Sequence, residues 1–287
     1  GRIRQSIQNC KYVLEYDPCL KGAICRNEMT CQIDIKKKVP WKRRGVQMTD
    51  TDMNNLSLYL EKNYGLTSDR VIGKAIDIVA NDNSFHPIID LLESLKWDGR
   101  PRIAGMLTHF FGAENLEYSG EIMKMHMLAA ISRLYEPGKK YDIMLCLVGG
   151  QGTGKSTFFK YLAIRDEWFT DDVKRLDDKK VYEYLQGHWI VEMSEMNAVA
   201  NAKSIEETKS FLSRQKDTYR IPYERRAEDR YRQCVFCGTS NDLAFLPFDR
   251  TGNRRFGPVK VCPEKAETMI YRDEKGSREY IIQAWAE

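Results

Sequence analysis

Leu145-Cys-Leu-Val-Gly149-Gly-Gln-Gly-Thr-Gly-Lys155-Ser-Thr157 runs an apolar strand pattern directly into G-x-x-x-x-G-K-S. Ile143–Val148 reads as the strand, Gly149–Ser156 as a phosphate-binding loop, and Thr157–Ala163 as the helix that follows, with Phe158, Phe159 and Leu162 available for packing. The order has a physical basis. Glycines let the backbone wrap a triphosphate, and amides at the start of the next helix point at the anion with the helix dipole behind them. Gly149, Gly150, Gln151, Gly152, Thr153, Gly154, Lys155, Ser156 and Thr157 are therefore the nucleotide-binding candidates. Lys155 supplies charge for the β- and γ-phosphates, and the Ser156 hydroxyl is placed to ligate Mg²⁺. ATP and Mg²⁺ are the expected cofactors.

Carboxylates to complete such a site are sought on a neighbouring strand. Trp189-Ile-Val-Glu192-Met-Ser-Glu195 ends an apolar run in two of them, at the strand end where ligands bind in open α/β sheets. Spacing does not say which serves the metal and which the water. Val235-Phe-Cys-Gly-Thr-Ser-Asn241 is a further apolar strand ending in polar residues, and Asn241 is placed to sense the γ-phosphate or the attacking water. Arg254 and Arg255 follow the glycine turn at Gly252, and an arginine there can stabilise charge on a transferring phosphoryl group from its own chain or from a neighbour. A structural ion pair is the expected role of one of the two.

Outward from this centre, strands at 143–148, 188–193 and 234–239 alternate with helical segments, including Ile205–Arg214, which argues for a mostly parallel sheet covered by helices. Residues 1–135 read as a mainly helical amino-terminal domain and 136–287 as the nucleotide-binding domain. Helices are expected at Met53–Tyr64, from Ser68 or Asp69 through Val79, at Ile88–Leu95 and at Ile122–Leu134, with short β-like runs at Lys11–Leu14 and Thr30–Ile35.

Composition bounds the rest. With 287 residues, 42% hydrophobic and 30% charged, the chain suits a globular protein of one or two domains. No apolar run is long enough for a bilayer and no leader pattern is present, so a cytoplasmic location and no membrane partner are expected. The chain opens on Gly1 rather than Met, as expected of a piece of a longer protein. A net charge of +4 does not by itself argue for nucleic acid. Locally, Lys36–Arg44 gathers six cations around Trp41, and Arg220–Arg232 holds five arginines with two tyrosines. Each is a possible nucleic-acid contact or a plain solvated face. Among eight cysteines, Cys234 and Cys237 form the one C-x-x-C, and their strand context reads as core rather than zinc.

Taken with Pro40-Trp41, His86-Pro87, Trp97-Asp-Gly-Arg-Pro-Arg102, Tyr135-Glu-Pro-Gly138, Tyr219-Arg220-x-Pro-Tyr223 and Thr251-Gly-Asn-Arg-Arg-Phe256, these motifs resemble the virulence-associated E family of phages, plasmids and genomic islands. The resemblance implies an AAA+-like P-loop ATPase close to superfamily III helicases, found beside or fused to primase domains. It implies a homo-oligomeric ring, such as a hexamer, that translocates on single-stranded or forked DNA. By that likeness Lys155 and Ser156 bind nucleotide and Mg²⁺, and Glu192 and Glu195 form the acidic pair, with Glu192 a metal ligand. Asn241 is the sensor, and Arg254 or Arg255 the trans-acting finger. A DNA-tracking hairpin is expected between Glu195 and Asn241, with Lys209, Arg214, Lys216, Arg220, Arg225 and Arg226 as its cations. The two carboxylates stand three apart rather than adjacent, a departure from the usual AAA+ pattern, and a reduced carboxyl-terminal lid is expected.

The leading reading is an ATP-dependent helicase or replication initiator. A DNA-binding assembly factor that uses ATP as a switch is the alternative, and a small-molecule kinase fits less well.

Overall fold

The structure, a computed structural model, describes residues 3–173, 181–194, 202–219, 228–242 and 253–287. They form two compact units, Gly1–Asp90 and Leu91–Glu287.

The first unit holds α1 (Ile7–Tyr16), the antiparallel pair β1 (Ile24–Asn27) and β2 (Gln32–Ile35), α2 (Asp50–Tyr64) and α3 (Asp69–Asp82). Lys11–Leu14 is helical rather than β-like. Ser6 caps α1 by accepting from the Asn9 amide, and Cys10 and Leu14, four apart, face the core. Thr49 caps α2 in a reciprocal capping box with Asp52, and Gly65 closes it in the left-handed region at φ 67°. Leu56 and Leu60 of α2 meet Ile72, Ile76 and Val79 of α3 in the core of this unit.

Asp52 also explains part of the Lys36–Arg44 run. Arg43 Nε donates to Asp52 Oδ1 at 2.8 Å and Trp41 Nε1 donates to the same oxygen at 2.9 Å. Burial raises the Asp52 pKa, but the Arg43, Thr49 and Trp41 donors outweigh it and hold the carboxyl well below its usual range. Arg43 is thus a structural ion-pair partner, while Lys36, Lys37, Lys38, Lys42 and Arg44 are exposed.

α4 (Pro87–Ser94) spans the division between the units. The second unit then contains α5 (Met106–Phe111), α6 (Leu116–Tyr135), β3 (Met144–Val148), α7 (Lys155–Leu162), β4 (Phe169–Thr170), α8 (Val181–Leu185), β5 (Ile190–Met193) and α9 (Ala202–Leu212). It continues through β6 (Lys216–Tyr219), β7 (Glu228–Tyr231), β8 (Val235–Ser240), β9 (Phe256–Lys260) and α10 (Glu274–Ala286). A five-stranded parallel sheet runs β4-β5-β8-β3-β9, and β6 and β7 pair as a separate antiparallel ribbon. The fold is mixed α/β. The division expected at 135/136 differs from the compact units because α6 packs on β3 and β8 and so belongs with the sheet.

Alternation along the strands assigns the two faces. Met144, Cys146, Val148, Val191, Met193 and Phe236 cluster with Val181 and Leu185 of α8 and Phe211 and Leu212 of α9. Glu192 lies on the other face, where its carboxylate meets Ser156 of α7. α10 packs on α7, with Trp285 Nε1 donating to Leu162 O at 2.9 Å. The Trp97–Arg102 motif holds the same helix, since Asp98 N donates to Gln283 Oε1 at 3.0 Å and Arg102 N to Glu287 Oε2 at 2.5 Å. Among the described residues no helix is long and apolar enough to cross a membrane. Cys234 and Cys237 are free and buried.

Candidate functional site

Every strand of the five-stranded sheet points the same way, so the residues that follow the strands gather at one edge. There β3 passes into the glycine-rich loop. Gly149 N donates to Ser240 O at 3.1 Å, tying the loop's start to the end of β8. A Cβ on Gly149 would approach Val261 to 2.9 Å. At Gly154 two constraints coincide, a φ of +85° and a Cβ that would stand 2.4 Å from Ile270, so glycine is required. No backbone N–H from Gly150 to Ser156 donates to a backbone carbonyl among the described residues. These amides open α7 and are available to an anion.

Lys155 is 8% exposed, and its ammonium donates to Gly149 O at 2.6 Å and Gly150 O at 2.7 Å. Burial lowers its pKa and the Glu192 charge opposes that. Ser156 Oγ, on the exposed first turn of α7, donates to Glu192 Oε1 at 2.7 Å. Glu192 has no exposed surface, and its Oε2 makes no hydrogen bond among the described residues. Burial pushes its pKa up, against hydrogen bonds from Ser156, Thr239 and, more weakly, Ser194, and the charge of Asp171 just after β4 adds to the rise. An ionised carboxylate held this way favours a cation beside it. Ser156 and Glu192 together offer oxygen donors of the kind a hard divalent ion takes.

Asn241 directly follows β8 and is exposed at this same edge, between the strand that carries Glu192 and the strand that leads into the loop. Glu195, Gly252 and the cations Arg220, Arg225 and Arg226 lie outside the described residues.

Arg254 and Arg255 are elsewhere. They precede β9, whose first residue Phe256 pairs with Met144, while the loop follows Val148 at the other end of β3. About 13 Å of strand, four rises of roughly 3.3 Å, separates the two edges. Arg255 is engaged, with Nε 3.0 Å from Ser213 Oγ and 3.4 Å from Asp142 Oδ2. Arg254 is exposed.

The remaining cations are held. Lys209 is only 4% exposed and donates to Glu206 Oε1 at 2.7 Å, so burial removes it from any surface contact, against the expectation. Arg214 donates to Tyr182 Oη at 2.8 Å, and Lys216 pairs with Asp229 across the β6–β7 ribbon. At the base of that ribbon Arg232 and Asp217 form a buried ion pair at 2.6 Å. The residues that sequence reasoning missed are Thr239, whose hydroxyl lies 2.7 Å from Glu192 Oε1, and Asp171. A threonine at an inward position of an otherwise apolar strand was the available signal for the first.

The chain belongs to the virulence-associated protein E-like family, whose domain model matches residues 92–287. Two solved structures of the NrS-1 C-terminal region in its apo A form share the fold. One matches at TM-score 0.58 and 16% identity over 92% of this chain and 65% of that one. The other, described as spanning 305–718, matches at TM-score 0.50 and 15% identity over 92% and 63%. This chain therefore spans less than two thirds of either. No curated protein matches.

Proposed function

We propose that this member of the virulence-associated protein E-like family is an AAA+-like P-loop ATPase that drives a DNA motor, a helicase or replication initiator of a phage or other mobile element. The observation that carries the reading is the meeting of Lys155, Ser156 and Glu192 at the end of β3 and β5, beside a loop whose amides are unspent. The sheet order is the second support. The strand leading into the loop lies between β8 and β9, and β5 with its carboxylate is one strand beyond β8, so loop and carboxylate reach the same edge of a parallel sheet.

The loop amides and Lys155 bind the phosphates, the ammonium turning from the Gly149 and Gly150 carbonyls to the anion. Ser156 and Glu192 would hold Mg²⁺, which would supply positive charge against the phosphates. Since Glu192 shares Ser156, it takes the metal side, and Glu195 is left to orient the attacking water. Asn241 reports the state of the γ-phosphate. Arg254 is the finger, a reading in which its distance from its own loop favours the nucleotide of a neighbouring subunit. The β6–β7 ribbon, inserted between β5 and β8, is the arm that meets DNA, with Arg220, Arg225 and Arg226 between its strands in sequence. A homo-oligomeric ring and a linked primase domain or protein complete the reading.

The ATP-switched assembly factor has its own support. Lys209, Arg214 and Lys216 of the ribbon region are paired or hydrogen-bonded, while the first unit exposes Lys36, Lys37, Lys38, Lys42 and Arg44, Lys36 over the Phe85 ring and Lys37 on Lys21 O.

The test is triphosphate binding to Lys155→Ala. Loss of one charge-assisted contact of about 1.5–3 kcal/mol weakens affinity roughly 10- to 100-fold and abolishes turnover. Wild-type turnover in this variant would contradict the site.

A further inference from the structure

Thr239 has been given no role beyond its contact with the buried carboxylate, where it and Ser156 are the two donors to Oε1 and Ser194 acts on the same group more weakly. Its Oγ1 donates to Glu192 Oε1 at 2.7 Å, and Ser156 Oγ donates to that same oxygen at 2.7 Å. Thr239 is 6% exposed. The register explains the contact. Glu192 pairs with Cys237 across β5 and β8, and Thr239, two residues on, presents its side chain to the same face, closer to the ligand edge. On the other flank Thr239 pairs with Leu147, so an apolar residue would be the ordinary occupant of this layer. A β-branched side chain in a central strand has little χ1 freedom, which fixes the hydroxyl.

We propose that Thr239 is the positioning residue for the metal side of this site: by saturating Oε1 together with Ser156, it fixes the carboxylate plane and leaves Oε2 as the oxygen available to a divalent cation. The inference rests on the nucleotide-site reading and deepens it. Oε2 is the atom that is buried and makes no hydrogen bond among the described residues. A carboxylate with one anchored oxygen and one free oxygen is set for a cation at the free one. Ser156 cannot do this alone, because it is exposed and its hydroxyl is itself a metal ligand in the proposed function. Thr239 holds the carboxylate from the sheet, independently of the loop. Partners of metal ligands in this position commonly decide how tightly the ion binds.

The experiment titrates Mg²⁺ into the 287-residue chain with a fluorescent ATP analogue, comparing Thr239→Val, Thr239→Cys and Thr239→Ser. In Thr239→Val the Mg²⁺ concentration for half-maximal tightening rises about 10-fold while metal-free affinity stays within about twofold. Thr239→Ser, which keeps the hydroxyl, stays near wild type, and Thr239→Cys, with a weaker donor, falls between. Should Thr239→Val not fold, Thr239→Cys against Thr239→Ser carries the comparison. Wild-type Mg²⁺ dependence in the valine and cysteine variants, with only a lowered melting temperature, would make Thr239 a packing residue and overturn the proposal. So would a serine variant no better than valine. Failure of the wild-type chain to bind the analogue would instead overturn the nucleotide reading itself.

Discussion

At the scale of single residues, Glu192 sets the character of the site. A carboxylate with no exposed surface and two hydroxyl donors on one oxygen is costly to keep ionised, and its raised pKa is the measure of that cost. The sign follows. A carboxyl whose pKa is raised by folding contributes to stability when protonated, at pH below its unfolded value, and that contribution disappears as pH climbs through the raised value. Glu192→Gln should therefore make the metal-free chain more stable than wild type at pH 8, by about 1–3 kcal/mol, with the gap closing toward pH 4. Denaturant melts at the two pH values check this. The same variant should lose about 100-fold or more in turnover. Equal stability at both pH values would show that the carboxylate is not strained by burial. Lys155, Ser156 and Glu192 were legible in the sequence because motif and strand context are local. Thr239 was not, because its bond to Glu192 joins residues 47 apart and depends on the β5–β8 register.

At the scale of elements, a parallel sheet has two unlike edges, and the arginine pair stands at the edge away from the loop. That geometry turns the choice between Arg254 and Arg255 into an experiment. Arg255 is bound to Ser213 and Asp142, so Arg255→Ala should chiefly lower stability. Arg254→Ala should bind ATP normally and lose hydrolysis by about 10³-fold or more. Mixed with Lys155→Ala, it should regain part of the activity, because one interface then joins an intact loop to an intact arginine. Steady-state hydrolysis over a range of mixing ratios is the measurement, and no recovery at any ratio would contradict a shared site. The sequence showed the two arginines and anticipated that one would be structural. Which one depended on Ser213 and Asp142, 42 and 113 residues away by the numbering, and could not be read locally. Lys209 shows the same limit from the other side. A lysine in a basic, polar stretch reads as surface, but its place on α9 buries it, with the exposed Glu206 as its ion-pair partner.

At the scale of the whole molecule, the chain reads as a helical unit and a sheet unit, each with its own core. Alternation of strands and helices after residue 143 foretold the sheet well, since each buried strand announces itself as an apolar run. The boundary was harder. α6 buries His126 and Arg133 while exposing Met125 and Leu128, and only its packing on β3 and β8 assigns it to the sheet unit. In the proposed function, hydrolysis at an intersubunit site is coupled to DNA. Steady-state ATP hydrolysis, measured with and without single-stranded DNA at two salt concentrations and several protein concentrations, tests it most directly. Specific activity should rise with protein concentration, and DNA should stimulate it several-fold, an effect that fades as salt increases. Activity indifferent to DNA and unchanged on dilution would contradict it.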